Sequence, residues 1–308
     1  MHVYLPIAEL SVNWFILLLV GGGVGFLSGM FGVGGGFLMT PLLIFLGVPA
    51  PVAVGTGAAQ ILASSVSGVL THWRRQNVDV QMGVALTAGG FLGSVLGIWI
   101  FTVLRQAGQV DLVIRICFVF FLGGVGGLVL IESARSWFRP AMATSVRKRK
   151  LHEHHWLHGL PLKLRFRRSK LYISALLPLA VGFAIGVLTA IMGVGGGFIL
   201  VPAMIYLLGM PTTVVIGTSN FQILFVAANV TFLQATTNGT VDVVLALLLI
   251  LGGVVGAPIG ARIAAKLPGV VLRGLMAVLI LAVAAELLTE LLRTPASPYS
   301  IGLREAQP

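Results

Sequence analysis

The chain has 308 residues, of which 57% are hydrophobic and only 9% are charged, and its mean hydropathy is +1.02. A soluble domain carries roughly 25% charged residues, so most of this chain is not suited to face water. The net charge of +11 is concentrated, because residues 135–170 hold eleven of the twenty Lys and Arg residues and a single acid, Glu153. By the positive-inside rule this segment predicts a cytoplasmic loop rather than a nucleic-acid-binding surface.

Eight apolar runs are long enough to cross a bilayer, which takes about 20 mostly apolar residues in a helix. They cover roughly 12–31, 52–72, 81–104, 111–132, 171–192, 213–233, 242–265 and 270–292. Two shorter runs, 37–47 and 198–209, would each measure about 16 Å as helix, which is half a bilayer. We therefore predict an all-α polytopic membrane protein with about eight full transmembrane helices and two short, broken or re-entrant helices.

The two halves of the chain repeat one another. The segment from Gly25 to Pro41 matches the segment from Gly186 to Pro202 at an offset of 161 residues, and the central GVGGGF is identical. Further matches follow in the same order: VGT at 54–56 with IGT at 216–218, QIL at 60–62 and 222–224, and VDV at 78–80 and 241–243. We predict transmembrane repeats at 12–134 and 171–293, separated by the basic loop at 135–170. Internal duplication is typical of secondary transporters.

The placement of Lys and Arg bears on how the halves are oriented. With the central loop in the cytoplasm, Arg262, Lys266 and Arg273 are also cytoplasmic only if the run 198–209 completes a crossing. Each half then crosses an odd number of times and the halves are inverted. We favour this inverted arrangement, and a re-entrant hairpin at 198–209 is the alternative.

The segment GVGGG interrupts an apolar stretch in each half. Glycine is less favourable than alanine in a helix by about 1 kcal/mol per residue, so four glycines in five residues predict a break. A new short helix then begins at Phe37 or Phe198, and its N-terminus favours an anion. The predicted binding residues are Gly32, Gly34, Gly35, Gly36, Gly193, Gly195, Gly196 and Gly197. The alternative is close helix packing, which we expect of the GxxxG spacings elsewhere, such as Gly89/Gly93/Gly97 and Gly123/Gly127.

A second candidate region carries uncharged polar side chains at matching positions of the two halves. Its residues are Thr56 and Gln60 in the first half and Thr218, Ser219, Asn220 and Gln222 in the second. Neutral donors suit a small oxyanion whose charge is balanced by helix dipoles. Such residues also hold transmembrane helices together, and the sequence leaves both interpretations open.

Charged groups lie near the predicted helix ends, and Asp79 and Asp242 begin helices, where a carboxylate suits the helix dipole. The sequence offers no nucleophile–base pair, paired carboxylates or metal cluster at one membrane depth, so we predict neither an enzyme nor a cofactor or metal site. A His-rich tract at 152–158 in the basic loop is interpreted as a solvated segment, with metal binding as the alternative.

The duplicated block GxxxGxxGVGGGFxxxP, followed by GxP and VGTxxxQ, resembles the sulfite exporter TauE/SafE family of the toluene-sulfonate uptake permease group. The resemblance covers roughly 12–292. It implies a secondary transporter that moves a small anion such as sulfite, a sulfonate or sulfoacetate by alternating access between two repeats. It also implies a bacterial-type inner membrane, with the lipid bilayer and the anion as partners and no nucleic acid. A coupling ion, H⁺ or Na⁺, and a homo-oligomer are both compatible with it. The alternatives are a passive anion channel and a carrier of a non-sulfur organic acid.

Overall fold

The computed structural model describes residues 2–31, 36–74, 76–138, 163–166, 168–169, 171–264, 266–267 and 269–292. In these ranges the helices are α1 (Trp14–Phe31), α2 (Gly36–Phe45), α3 (Ala50–Arg74), α4 (Val80–Gln106), α5 (Val110–Phe138), α6 (Leu176–Met192), α7 (Gly197–Tyr206), α8 (Thr212–Leu233), α9 (Val243–Ala264) and α10 (Gly269–Leu292). The strands are β1 (His2–Leu5), β2 (Leu10–Asn13), β3 (Lys163–Phe166) and β4 (Leu171–Ser174). Gly32, Gly34, Gly35, the His-rich tract and most of the basic loop lie outside the described residues.

In the described part of the chain, six helices are long and apolar enough to cross a membrane: α3, α4, α5, α8, α9 and α10. The predicted helical, polytopic membrane fold is therefore confirmed. The apolar runs 12–31 and 171–192 form the shorter helices α1 and α6, because each run starts in a strand and ends at a glycine motif. The two short runs form α2 and α7, each of ten residues, or about 15 Å.

Each half begins with a β-hairpin that the sequence analysis did not predict. Strand β1 pairs antiparallel with β2, and β3 pairs antiparallel with β4. The pair His2–Asn13 corresponds to Lys163–Ser174 at the offset of 161 found for the glycine motif. The duplicated unit thus extends to the N-terminal side of both predicted repeat boundaries, and β3 lies inside the stretch predicted as loop.

Helices of one half pack against helices of the other, because α1 packs on α9 and α4 packs on α6. Gly21 lies against Leu249 and Gly29 against Ala257, so α1 and α9 run parallel. A Cβ added at Gly29 would lie only 2.0 Å from the Ala257 carbonyl oxygen. The α4–α6 pair is also parallel, with equivalent contacts of Gly89 with Leu179, Gly93 with Phe183 and Gly97 with Val187. The packing role expected of these glycines is confirmed.

The GxxxG spacing on α5 behaves differently. A Cβ added at Gly123 or Gly127 would meet no atom within 4 Å, so the expectation that these glycines pack against another helix of the chain is wrong. The neighbour of α5 is α10, and Gly126 rather than Gly123 or Gly127 faces it, at Ile280. The GxxxG spacing does not by itself say which face of a helix is covered.

Two further helix pairs are antiparallel. Helices α3 and α8 meet with His72 against Gly217 and Gly68 against Asn220. Helices α5 and α10 are joined by an ion pair of 2.7 Å between Arg115 Nη1 and Glu290 Oε2, and at their other ends Ser133 lies against Gly274. Each pair unites corresponding helices of the two halves.

Candidate functional site

The predicted break between helices is present in the second half. Helix α6 ends at Met192 and is capped by Gly193, whose N–H donates to the Thr189 carbonyl at 2.8 Å, and α7 begins at Gly197, which is buried. Gly193, Gly195 and Gly196 have φ angles of 68°, 69° and 71°. This left-handed conformation costs other residues about 1–2 kcal/mol each, so the turn is specific for glycine.

The break lies beside the middle of helices α3 and α8. A Cβ added at Gly195 would lie 2.6 Å from Ile61 Cγ2 of α3 and 3.3 Å from Ile223 Cγ2 of α8. Both isoleucines are eleven residues from the first residue of their helix, Ala50 or Thr212. Eleven residues of helix span about 16 Å, roughly half of a 30 Å hydrocarbon core.

The starts of α2 and α7 meet where the halves join. The rings of Phe37 and Phe198, equivalent residues of the two motifs, are 5.8 Å apart between centroids and tilted by 41°. A Cβ added at Gly36 would lie 2.2 Å from Ile61 Cδ1 and 2.5 Å from the Val194 carbonyl oxygen. The described parts of both glycine motifs therefore share one site at the interface between the halves.

The N-terminus of α7 provides donors at this interface. The Gly196 carbonyl accepts the N–H groups of Ile199, at 3.0 Å, and Leu200, at 2.7 Å. The N–H groups of Gly197 and Phe198 are then the donors without a partner inside the helix, and they carry the positive end of its dipole. This geometry can stabilise a negative charge.

Thr56 and Thr218 are not brought together. Thr56 Oγ1 accepts the backbone N–H of Asp242 at 3.0 Å, and Thr218 Oγ1 accepts the backbone N–H of Asp79 at 3.0 Å. Because α3 and α8 are antiparallel, the two contacts lie at opposite ends of the helix pair. Both hydroxyls connect one half to the other, which is the helix-joining role that the sequence left open.

The buried carboxylates of Asp79 and Asp242 extend these contacts. Asp79 Oδ1 accepts the Met82 N–H at 3.2 Å and caps α4, while its Oδ2 accepts from Ser169 N at 2.9 Å and Ser169 Oγ at 2.6 Å. Ser169 belongs to the turn between β3 and β4, so the carboxylate ties α4 of the first half to the hairpin of the second. We name Asp79, Thr218 and Ser169 the Asp79 latch.

The second carboxylate makes the reciprocal contacts. Asp242 Oδ1 accepts the Leu245 N–H at 3.1 Å and Oδ2 accepts the N–H groups of Ile7 at 3.0 Å and Ala8 at 3.4 Å, in the turn between β1 and β2. We name Asp242, Thr56 and these two turn residues the Asp242 latch. The helix-capping role predicted for both aspartates is confirmed. Their hydrogen bonds to the hairpin turns were not predicted, because the hairpins themselves were not predicted.

Replacing Asp79 with alanine is expected to destabilise the fold by about 2–4 kcal/mol, because a helix cap and two bonds to a buried carboxylate are lost together. Asp79→Asn should cost less, since its amide oxygen can still accept a hydrogen bond. Asp111→Ala is the control, because Asp111 is an exposed residue in the first turn of α5. Thermal unfolding in detergent measures the difference. Equal melting temperatures for Asp79→Ala and Asp111→Ala would contradict the latch.

Gln60 and Gln222 are buried side chains whose polar groups are unsatisfied. Gln222 is fully buried, and neither its Nε2 nor its Oε1 has a hydrogen-bond partner among the described residues. Gln60 is 2% exposed and its Oε1 also has no such partner. Ser219 differs, since its hydroxyl donates to the Ile216 carbonyl at 3.0 Å, and Asn220 packs on Gly68. The two glutamines are therefore the predicted polar residues best suited to contact a ligand.

Four buried hydroxyls without a partner among the described residues, those of Thr40, Ser65, Thr87 and Thr231, were not predicted from the sequence. Thr40 lies on α2 and Thr87 lies on α4. The equivalent residues of the second half are Val201 and Ile250. A polar residue whose repeat equivalent is aliphatic is the signal that could have identified both.

Comparison with known proteins finds relatives that are described as probable membrane transporters. It is 31% identical to the "Probable membrane transporter protein YjnA" of Bacillus subtilis, over 77% of this chain and 85% of that protein. It is 30% identical to a "Probable membrane transporter protein" of Xylella fastidiosa strain 9a5c, with coverages of 76% and 78%. "Probable membrane transporter protein YunE" of Bacillus subtilis is 25% identical over 91% of this chain and 98% of that protein.

No solved structure matches the chain. The sequence profile of the sulfite exporter TauE/SafE family matches residues 17–287, which include both glycine motifs, both glutamines and both latch aspartates. The chain belongs to the sulfite exporter TauE/SafE family.

Proposed function

We propose that the protein is a secondary transporter of a small anion, and that the anion is a sulfur oxyanion or organosulfonate bound between the two glycine motifs. The observation that carries the proposal is the meeting of two broken segments at the interface between duplicated halves, marked by the contact of Phe37 with Phe198. Broken helices near the midplane, at a repeat interface, are typical binding sites of secondary transporters. The family description and the relatives' names support a transporter.

We propose further that the halves are inverted repeats. Support comes from helix directions. Helices α3 and α8 are antiparallel, and each is followed, after a short loop, by a helix that runs in the opposite direction to it. Helices α4 and α9 then run in opposite directions, although they are equivalent. Since α1 is parallel to α9 and α6 is parallel to α4, the first helices of the halves are also opposed. Inverted halves can exchange roles at the two membrane faces, which suits alternating access.

The same directions bear on the short helices. Helices α1 and α3 point the same way on this proposal, so the chain must return between Phe31 and Ala50, where α2 lies. Helix α7 performs the same return between α6 and α8. Both short helices then complete a crossing rather than a re-entrant hairpin, and each half crosses an odd number of times.

The proposed orientation places the basic loop in the cytoplasm of a bacterial-type inner membrane. Helix α5 leads into this loop, and the antiparallel α10 must start on the same side. The loop with Lys266 then lies on the side of the membrane where α5 ends, as does the loop between α3 and α4, where Arg168 Nη1 donates to the Gln76 carbonyl. Lys and Arg residues thus collect on one face, in keeping with the positive-inside rule.

Uptake and exchange of radiolabelled sulfite in proteoliposomes test the proposal. We expect saturable uptake that internal sulfite accelerates, with sulfate, taurine, sulfoacetate and acetate as competitors and protein-free liposomes as the control. Imposed H⁺ and Na⁺ gradients identify a coupling ion. A passive channel would show neither saturation at low concentration nor acceleration by internal sulfite. Competition by acetate alone would replace the sulfur substrate with an organic acid.

A further inference from the structure

The unsatisfied amides of Gln60 and Gln222 occupy equivalent positions in the two halves. A Cβ added at Gly253 of α9 would lie 3.2 Å from Gln60 Nε2, and one added at Gly90 of α4 would lie 3.0 Å from Gln222 Nε2. Gly90 and Gly253 are themselves equivalent. Each amide therefore lies at a crossing of two parallel helices, one from each half. These are the surfaces that must shift if the halves move relative to each other.

The Gln222 position is the more polar of the two. On the face of α4 that packs on α8, Gly83 lies against Phe221, Gly90 against Gln222, and Ser94 accepts a hydrogen bond from Asn229 Nδ2 at 2.7 Å. Thr87 is on the same helical stripe, four residues after Gly83 and three before Gly90. Its hydroxyl and both polar atoms of Gln222 lack partners among the described residues.

The equivalent position in the first half offers fewer polar groups. Ile250 replaces Thr87 on the corresponding stripe of α9, and Gln60 has one fully buried polar atom without a partner among the described residues, Oε1, where Gln222 has two. The two halves are therefore not equal as ligand sites. Buried polar groups normally have partners, so the Gln222 position is the one where a ligand gains most from supplying them.

The chemistry of an amide defines what such a ligand must offer. The side chain of Gln222 has an NH₂ group, which needs an acceptor, and a carbonyl oxygen, which needs a donor. Rotating the amide by 180° exchanges its nitrogen and oxygen, and the ligand must still offer one acceptor and one donor. A sulfite or sulfate dianion, or a sulfonate without further donors, brings only acceptor oxygens. One of these oxygens would lie against the amide carbonyl oxygen, and neither atom can donate a hydrogen bond. A monoprotonated oxyanion brings acceptor oxygens and an O–H donor together.

We infer that Gln222, together with Thr87, selects the monoprotonated form of the transported oxyanion, so that hydrogensulfite rather than the sulfite dianion is carried. This inference rests on the proposed function. The anion oxygens accept from the Gln222 NH₂ group and the Thr87 hydroxyl, while the anion O–H donates to Gln222 Oε1. The charge is balanced at the N-terminus of α7, and no proton leaves the anion during binding.

The first test is exchange of radiolabelled sulfite by the wild-type protein, with equal pH inside and outside, across the range where hydrogensulfite gives way to sulfite. The KM for total sulfite is expected to rise as the hydrogensulfite fraction falls, and the KM expressed as hydrogensulfite is expected to stay constant. A KM for total sulfite that stays constant or falls as pH rises would overturn the inference. Absence of any sulfite exchange would overturn the proposed function and the inference with it.

The second test uses inhibitors and variants. Hydrogenselenite, which carries an O–H group, is expected to inhibit at least about tenfold better than methanesulfonate, which carries none. Gln222→Leu should bring this ratio close to one, and Thr87→Val should lower it partly. A purely structural role would weaken both inhibitors equally. Gln109→Leu is the control, because Gln109 is exposed in the loop before α5. An unchanged ratio in Gln222→Leu would contradict the selection.

Discussion

Gly93→Leu is expected to prevent the chain from reaching its folded state. A Cβ at Gly93 would lie 2.0 Å from the Phe183 carbonyl oxygen and 2.8 Å from its carbon, and backbone atoms cannot rotate away as a side chain can. Helices α4 and α6 would have to separate, and they form one of the four helix pairs described above that join the two halves. The loss should exceed about 4 kcal/mol, which is beyond the usual range of point substitutions.

Gly124→Leu is the matched control for this change. It adds the same side chain to a glycine in the interior of a long membrane helix, but a Cβ there would meet no atom within 4 Å. Size-exclusion chromatography in mild detergent should show a monodisperse peak for Gly124→Leu and aggregate for Gly93→Leu. Monodisperse peaks and similar melting temperatures for both variants would mean that the close α4–α6 contact is not required for the folded state.

The duplicated architecture could be predicted from the sequence because several kinds of pattern agree. Apolar runs mark helices, since lipid forces the backbone to satisfy its hydrogen bonds internally. The GVGGG motif marks breaks, and the three left-handed glycines at 193–196 give the physical reason. The hairpins could not be predicted in the same way. Strand β2 is continuous with the apolar run of α1, and periodicity over four residues does not separate a strand from the start of a helix.

The polar positions show a different limit. Thr56 and Gln60 are one helical turn apart, and both are polar residues in an apolar helix. Their roles differ in the structure, because Thr56 Oγ1 accepts the Asp242 N–H, whereas Gln60 Oε1 has no partner in the described part of the chain. What distinguishes them is a residue 186 positions away in sequence. Such long-range partners depend on how the helices of one half pack against those of the other, and no local sequence pattern predicts this packing.

Gly196→Ala is expected to abolish transport while much of the fold is retained. Gly196 has a φ of 71° and caps α7, and a Cβ there would lie 2.3 Å from Ile185 Cγ2 and 3.0 Å from Thr189 Oγ1. The Ile185 methyl group is on a β-branched carbon and has little freedom to move. The added methyl group should therefore displace the turn, and with it the first N–H groups of α7. The left-handed angle alone costs about 1–2 kcal/mol, and the overpacking costs about 1–3 kcal/mol more.

Gly209→Ala separates these two costs. Gly209 has nearly the same φ, 70°, in the link between α7 and α8, but a Cβ there would meet no atom within 4 Å. Both variants carry the left-handed strain, and only Gly196→Ala also shifts the proposed anion site. In proteoliposomes Gly209→Ala should retain most of the sulfite exchange and Gly196→Ala should retain almost none. If both variants lose sulfite exchange to the same degree, backbone strain near α7 is the cause. The result would then contradict the proposal that the anion binds at the N-terminus of α7.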